Sequence, residues 1–344
     1  MRKFIIAIVM VLGFFFIVGR FSELETFSNT IQRGVWIFIF LAVLTEVFWL
    51  LLLPLSFKVI YQVIGIKESL LGLLPVVLSA NFVNIIAPSA GVSGITMLIA
   101  HARRQGYSSA RAMIAGSLFV EFDYFGFLCM LMLGLLVLVR RNNLTAVEIT
   151  ASLIFGLVAL VMTILLYLGT QSAEALGNAL TWISRLVNRV AHPFIHRQYL
   201  SEVNARSFAH DAAEGLSEFR LNPRKILQPI LLALLNKSLL VLVLFFVFLA
   251  FKVPVTPGTI IAGFSIGYLF LIVSPTPAGL GFVEGSLTLV LSSMYISLET
   301  AAILTLVYRG ITFWMPFVVG MVAFRVTGTT KKDGGRTQAG ENAG

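Results

Sequence analysis

Charge is scarce in this chain. Only 12% of its 344 residues are Asp, Glu, Lys or Arg, about half of the roughly 25% found in a soluble domain. So few charges cannot cover a water-facing surface of this size, which excludes a soluble globular enzyme and a disordered chain. Cysteine is scarcer still. The single Cys129 lies inside an apolar run, so the chain cannot be a disulfide-stapled extracytoplasmic scaffold. No Walker A sequence occurs, which argues against ATP drive. Apolar residues are what the chain has in excess, at 58%, with a mean hydropathy of +0.93. The net charge of +9 invites comparison with nucleic-acid binders. Its charges sit between apolar runs, however, and read as topology signals; no nucleic-acid partner is expected.

A membrane-spanning helix needs about 20 apolar residues. Runs of this kind cover Phe4 to Gly19, Val35 to Phe57, Ala112 to Val139, Ile149 to Gly169, Ile226 to Phe251 and Ala301 to Phe324. The first follows Arg2 and Lys3 without a clear small-residue cleavage site, and reads as an uncleaved helix. Two further segments are interrupted. Residues 70–100 break at Ala87–Gly94 (APSAGVSG), and residues 258–294 break at Ser274–Gly281 (SPTPAGLG). Non-helical backbone at membrane depth is tolerated only inside protein or lining a cavity. A pair of interrupted segments in corresponding halves points to a transporter's central site. The expected fold is therefore an all-α polytopic membrane protein with about six full spans plus two interrupted, re-entrant helical hairpins. Residues 1–325 form one integral membrane domain, and 326–344 form a disordered cytoplasmic tail.

Placing the N-terminus inside puts Arg2/Lys3, Lys58/Lys67, a basic loop with His101, Arg103, Arg104 and Arg111, the 171–225 loop and the tail on one side. Arg20/Arg33, Arg140/Arg141 and Lys252 fall on the other. The positive-inside rule favours this arrangement, with both termini inside the cytoplasmic membrane. The two hairpins then open from opposite faces, as in an inverted repeat. Within the 171–225 loop, Leu176, Leu180, Ile183, Val187, Val190 and Phe194 follow helical spacing, with Arg185 and Arg189 off the stripe. That pattern suits an amphipathic helix, either on anionic lipid or packed on the protein's own cytoplasmic face.

Glu46, Glu121, Asp123, Lys237, Glu284 and Arg309 fall inside apolar runs. Each costs roughly 2.5–3.5 kcal/mol at a helix centre facing lipid, so the six together must face the bundle interior and find partners. Residues of this kind are functional candidates. The alternatives are a structural ion pair, for instance Glu284 with Arg309, and a Lys237 that snorkels to the interface. Gly91-Val92-Ser93-Gly94 matches a GxSG nucleophile motif, but none of the four histidines lies in a later apolar run to act as base. Ser93 therefore reads as a small polar elbow residue. His192 and His196 lack a carboxylate pattern that would complete a zinc signature. The Gly-rich elbows could bind phosphate, because half-helix N-termini offer free N–H groups.

At these elbows the sequence resembles the flippase-like membrane domain of lysylphosphatidylglycerol synthases. Ser274–Leu291 (SPTPAGLGFVEGSLTLVL) and Leu306–Gly320 (LVYRGITFWMPFVVG) carry the resemblance, which covers Pro275, Pro277, Gly279, Gly281, Glu284, Tyr308 and Arg309. The first half is similar through Asn81, Asn84, Pro88, Ser93–Ala112 and Glu121. Many members carry Glu-Arg at the Glu121 position, with an Asp slightly further on. Here Phe122 stands in place of the Arg, and Asp123 comes early. The resemblance implies lipid handling. In two-domain members the membrane part is associated with flipping aminoacylated phosphatidylglycerol, while lysyl transfer uses a separate soluble domain that is not expected in the polar residues after Arg325.

The leading expectation is a translocase for a lipid or a lipid-linked headgroup. Its partner would be a membrane phospholipid or a polyprenyl-linked lipid. The alternative is a membrane subunit of a phosphatidylglycerol lysyltransferase or lipid glycosyltransferase system, with a separate lipid-modifying enzyme as partner. The expected substrate-binding set is Asn81, Asn84, Pro88, Ser93, Gly94, Glu121, Asp123, Lys237, Ser274, Pro275, Pro277, Gly279, Gly281, Glu284, Tyr308 and Arg309. No catalytic residue, metal or cofactor is expected.

Overall fold

The computed structural model describes residues 34–87, 93–195 and 223–327, with 206, 207, 209, 210, 212, 213 and 216 between them. The first apolar run, Pro88, His196 and the residues after Thr327 lie outside this set.

The apolar runs fold as long helices, several of which start at polar caps. Helices α1 (Trp36–Val63), α4 (Ser109–Arg140), α5 (Ala146–Gln171), α7 (Leu227–Ala250) and α10 (Leu298–Thr327) are each long and apolar enough to cross a bilayer. Ser108 caps α4 by accepting from the Arg111 N–H. Thr145 and Glu148 form a reciprocal capping box at the start of α5. Thr256 caps α8 (Pro257–Val273), which has proline in its first turn. The outer faces remain apolar. On α5, Leu153, Leu157, Leu160 and Ile164 are all exposed, an apolar surface suited to contact with lipid.

Both interrupted segments are broken helices. The first comprises α2 (Leu70–Ile86) and α3 (Ile95–Arg104), and the second comprises α8 and α9 (Phe282–Ser293). At 1.5 Å per residue the 17-residue arms reach about 26 Å, and the 10- and 12-residue arms about 15 and 18 Å. None alone matches the roughly 30 Å hydrocarbon core. Contrary to expectation, His101, Arg103 and Arg104 do not lie in a loop. They form the last turn of α3, and Arg111 already belongs to α4. Positive charge at a helix C-terminus complements the helix dipole, so the basic cluster extends α3 rather than ending it.

Helix α7 is the central post. It runs antiparallel to α1, with the Val35 N–H donating to the Ala250 carbonyl at 2.8 Å, and it also packs on α4. Gly126 on α4 lies so close to α7 that a Cβ would meet the Ala233 carbonyl oxygen at 2.8 Å, the small-residue contact typical of membrane helices. One apolar core joins α4, α7, α8 and α9 through Phe127, Leu131, Val243, Phe264 and Leu287. A second joins α1, α2, α3 and the first half of α4 through Ile60, Tyr61, Leu73, Leu98 and Ile114. Helix α6 (Ala173–Ile195) follows α5 directly, and its Leu176 is buried in the second core with Ala209, Ala212 and Leu216. Helix α10 widens into one π-turn at Gly310–Trp314, a feature frequent at functional sites.

Candidate functional site

The second elbow is built from backbone that few residues tolerate. Ala278 (φ 48°), Gly279 (φ 69°) and Gly281 (φ 83°) all have positive φ. Gly279 also lies where a Cβ would meet a Val283 methyl at 2.6 Å. The turn is held from inside. Glu284, three residues into α9, accepts the Gly281 N–H on Oε2 at 2.7 Å. Its other oxygen takes the Arg309 guanidinium (Nε to Oε1, 2.8 Å), and Arg309 Nη2 donates to the Ala278 carbonyl at 2.8 Å. The guanidinium carbon lies 4.9 Å from the Phe313 ring centre, a cation–π contact. The pairing of Glu284 with Arg309 thus exists, and it closes the elbow as one hydrogen-bonded unit. Ser274 supports the other side, accepting the Thr276 N–H at 3.1 Å.

The first elbow reaches the same region from α2 and α3. Asn84 Oδ1 accepts the Gly94 N–H at 2.5 Å, the amide that starts α3. A side chain at Gly94 would meet the Ala80 carbonyl oxygen at 2.5 Å, so α3 can begin there only without a Cβ. The Ser93 carbonyl accepts the Thr96 hydroxyl at 2.7 Å. His101 faces Glu68 at 3.5 Å.

Between the elbows lies a cavity of about 520 Å3. Asn81, Asn84 and Gly94 line it from the first broken helix, and Tyr268, Ser274, Pro275, Thr276 and Ala278 line it from the second. Trp49, Asp123 and Tyr124 complete its polar wall. A smaller cavity of about 150 Å3 adjoins it, sharing Trp49, Asn81, Tyr268 and Ala278 and adding Tyr308 and Arg309. Lys237 does not line either cavity. It is mid-helix on α7 and 0% exposed, which overturns the snorkelling alternative. Its Nζ donates to Asp123 Oδ1 at 2.6 Å and to the Tyr268 hydroxyl at 2.5 Å, and Tyr268 donates to Asp123 Oδ2 at 3.3 Å. Asp123, 19% exposed at its side chain, and Tyr268 are therefore the parts of this triad that meet the cavity. Glu121 stands apart, accepting a hydrogen bond from Thr163 on α5.

The structure thus brings together Asn81, Asn84, Gly94, Asp123, Ser274, Pro275, Tyr308 and Arg309 around the two cavities. Lys237, Gly279, Gly281 and Glu284 stand behind them as supports, while Pro277 helps form the short turn Pro277–Gly279. Trp49, Tyr268 and Ala278, which line both cavities, are not expected from sequence. An aromatic residue in an apolar run carries no spacing signal, and Ala278 acts through its carbonyl.

Two broken helices around a part-open cavity with polar groups in a largely apolar wall, inside a bundle with an apolar outer surface, define a multi-pass α-helical membrane protein with an internal site. Residues 4–320 match the family described as the lysylphosphatidylglycerol synthase TM region, and the chain belongs to that family. It is also similar to a UPF0104 membrane protein of Methanothermobacter thermautotrophicus, at 24% identity over 331 residues that cover 95% of each chain.

Proposed function

We propose that this protein moves a lipid or lipid-linked headgroup across the cytoplasmic membrane. The observation that carries this reading is the cavity of about 520 Å3 lined by both elbows. A headgroup leaving water must exchange its hydration for fixed polar groups. Asn81, Asn84, Asp123, Tyr268, Ser274 and Thr276 supply such groups inside an otherwise apolar bundle. Both nearby cations are already matched by carboxylates, Lys237 by Asp123 and Arg309 by Glu284. The wall therefore offers neutral hydrogen-bonding groups and one carboxylate face, which suits a headgroup bearing hydroxyls or an amine beside its phosphate. Opening the cavity to alternate leaflets would follow from an inverted relation between the two broken helices, with both termini inside.

Leaflet-resolved labelling of fluorescent lipids in proteoliposomes tests this function. Wild type should move at least one tested lipid class, and Glu284→Gln and Arg309→Ala should slow that movement at least tenfold. Variants that keep the wild-type rate for every lipid would sink the assignment of the site.

The family's description supports a second reading, in which the chain serves as the membrane subunit of a lipid-modifying system. That reading predicts co-purification with a soluble lipid-modifying enzyme, and lipid product only when both are present.

A further inference from the structure

Among the described residues, one buried carboxylate that neither elbow supplies has no hydrogen-bond partner on either oxygen. Glu46 lies in the interior of α1, is 0% exposed, and neither of its carboxylate oxygens has a hydrogen-bond partner. It is close to both cavities. Trp49, one turn further on, lines both, and Tyr308, which lines the smaller one, is near enough to interact with Glu46 electrostatically.

The groups on the elements that pack against α1 show why Glu46 is distinct. Helix α7 brings Lys237, which is engaged by Asp123 and Tyr268. Helix α4 brings Glu121, one oxygen of which accepts from Thr163 while the other has no partner, together with Asp123 and Tyr124. Helix α10 brings Tyr308 and Arg309, the latter held by Glu284 and the Ala278 carbonyl. Helix α2 carries no ionisable residue. On α1 itself Lys58 and Tyr61 lie three to four turns away. Among the described residues, these elements leave no cation to balance a charge on Glu46.

We propose that Glu46 is a proton-binding site within the membrane. A buried carboxylate with neither a donor nor a counter-charge is too costly to keep ionised, so the group holds its proton in this conformation. Glu284 and Asp123 cannot take this role here, because each is neutralised by its own cation. When the cavity opens to the opposite leaflet, rearrangement around Trp49 and Tyr308 exposes Glu46 to water and releases the proton. Proton movement is thereby linked to headgroup movement. This link rests on the translocase reading; proton binding itself does not.

Two measurements separate the parts. Infrared spectroscopy of wild type at neutral pH should show the carbonyl stretch of a protonated carboxylic acid that shifts in heavy water. That band should vanish in Glu46→Gln, move in Glu46→Asp and persist in Glu121→Gln. Identical wild-type and Glu46→Gln spectra from folded protein would overturn proton binding. In proteoliposomes an imposed pH gradient should change the rate of lipid movement several-fold in wild type and not in Glu46→Gln. Equal responses of the two proteins, or no response in an active wild type, would overturn the coupling. A wild type that moves no lipid sinks the translocase reading and the coupling with it, while the infrared band still decides whether Glu46 carries the proton.

Discussion

Lys237 and Asp123 differ in how far each is withdrawn from solvent, and that difference predicts an asymmetry. Lys237 is completely buried, whereas Asp123 keeps one edge on the cavity. Removing the carboxylate strands a buried ammonium, and breaking a buried pair in this way costs about 3–5 kcal/mol. Asp123→Leu should therefore lower thermal stability in detergent more than Lys237→Met does, since in Lys237→Met the remaining carboxylate still meets the cavity. The double variant should recover most of the loss. A double variant no more stable than Asp123→Leu would show that the pair is not the source of the effect. At this scale much of the site was legible. A charge inside an apolar run is expensive enough to stand out, and Asp123, Lys237, Glu284 and Arg309 all proved to be paired. The pairing of Lys237 was less legible. With Phe122 in place of an arginine beside Glu121, the cation that matches Asp123 comes from α7, 114 positions away. Tyr268 completes that triad from within an apolar run that gives no sign of it.

At the scale of elements, the two breaks depend on glycine for different reasons. Gly94 must let α3 start against the Ala80 carbonyl, while Gly285, inside α9, has nothing within 4 Å of a built Cβ. Gly94→Ala should lose about 1–3 kcal/mol through a backbone clash. Gly285→Ala should be neutral, or gain about 0.5–1 kcal/mol from helix propensity. Thermal denaturation of the two variants side by side checks this, and a tolerated Gly94→Ala would mean that α2 and α3 are not locked together at this point. Proline and glycine made both breaks visible in the sequence. The true ends of α3 were harder to read, because its last turn is basic and polar and looks like a loop until the helix dipole is considered. The cap at Ser108 gives the correct start of α4.

Across the whole molecule, segments nearly 200 residues apart border one cavity. The natural Cys129 is the only cysteine, so a Cys129→Ser background permits a direct test. Cysteines at Asn84 and Thr276, joined by a short reducible cross-linker, should stop lipid movement until the link is reduced. Free movement in a demonstrably cross-linked protein would place the path elsewhere. The bundle and its two broken helices could be read from hydropathy and from the Pro/Gly breaks. Which helix forms the centre was only partly legible, because α7 and α5 are similarly apolar and only Asn236 and Lys237 mark α7 as facing inward.

The π-turn in α10 carries a consequence for how these parts are joined. Before the turn, Arg309 holds the second elbow through Glu284 and Ala278. After it, Gly320 rests on the Leu78 carbonyl and the Phe82 backbone of α2, with Phe317 and Phe324 against the Phe82 ring. A regular α-helix advances about 100° per residue, so the one extra residue of the π-turn rotates everything beyond it by that amount. One rod is thus keyed to both broken helices at different angles. Any twist that frees Arg309 from its elbow is delivered, at the far end of the same rod, to the helix that carries Asn81 and Asn84.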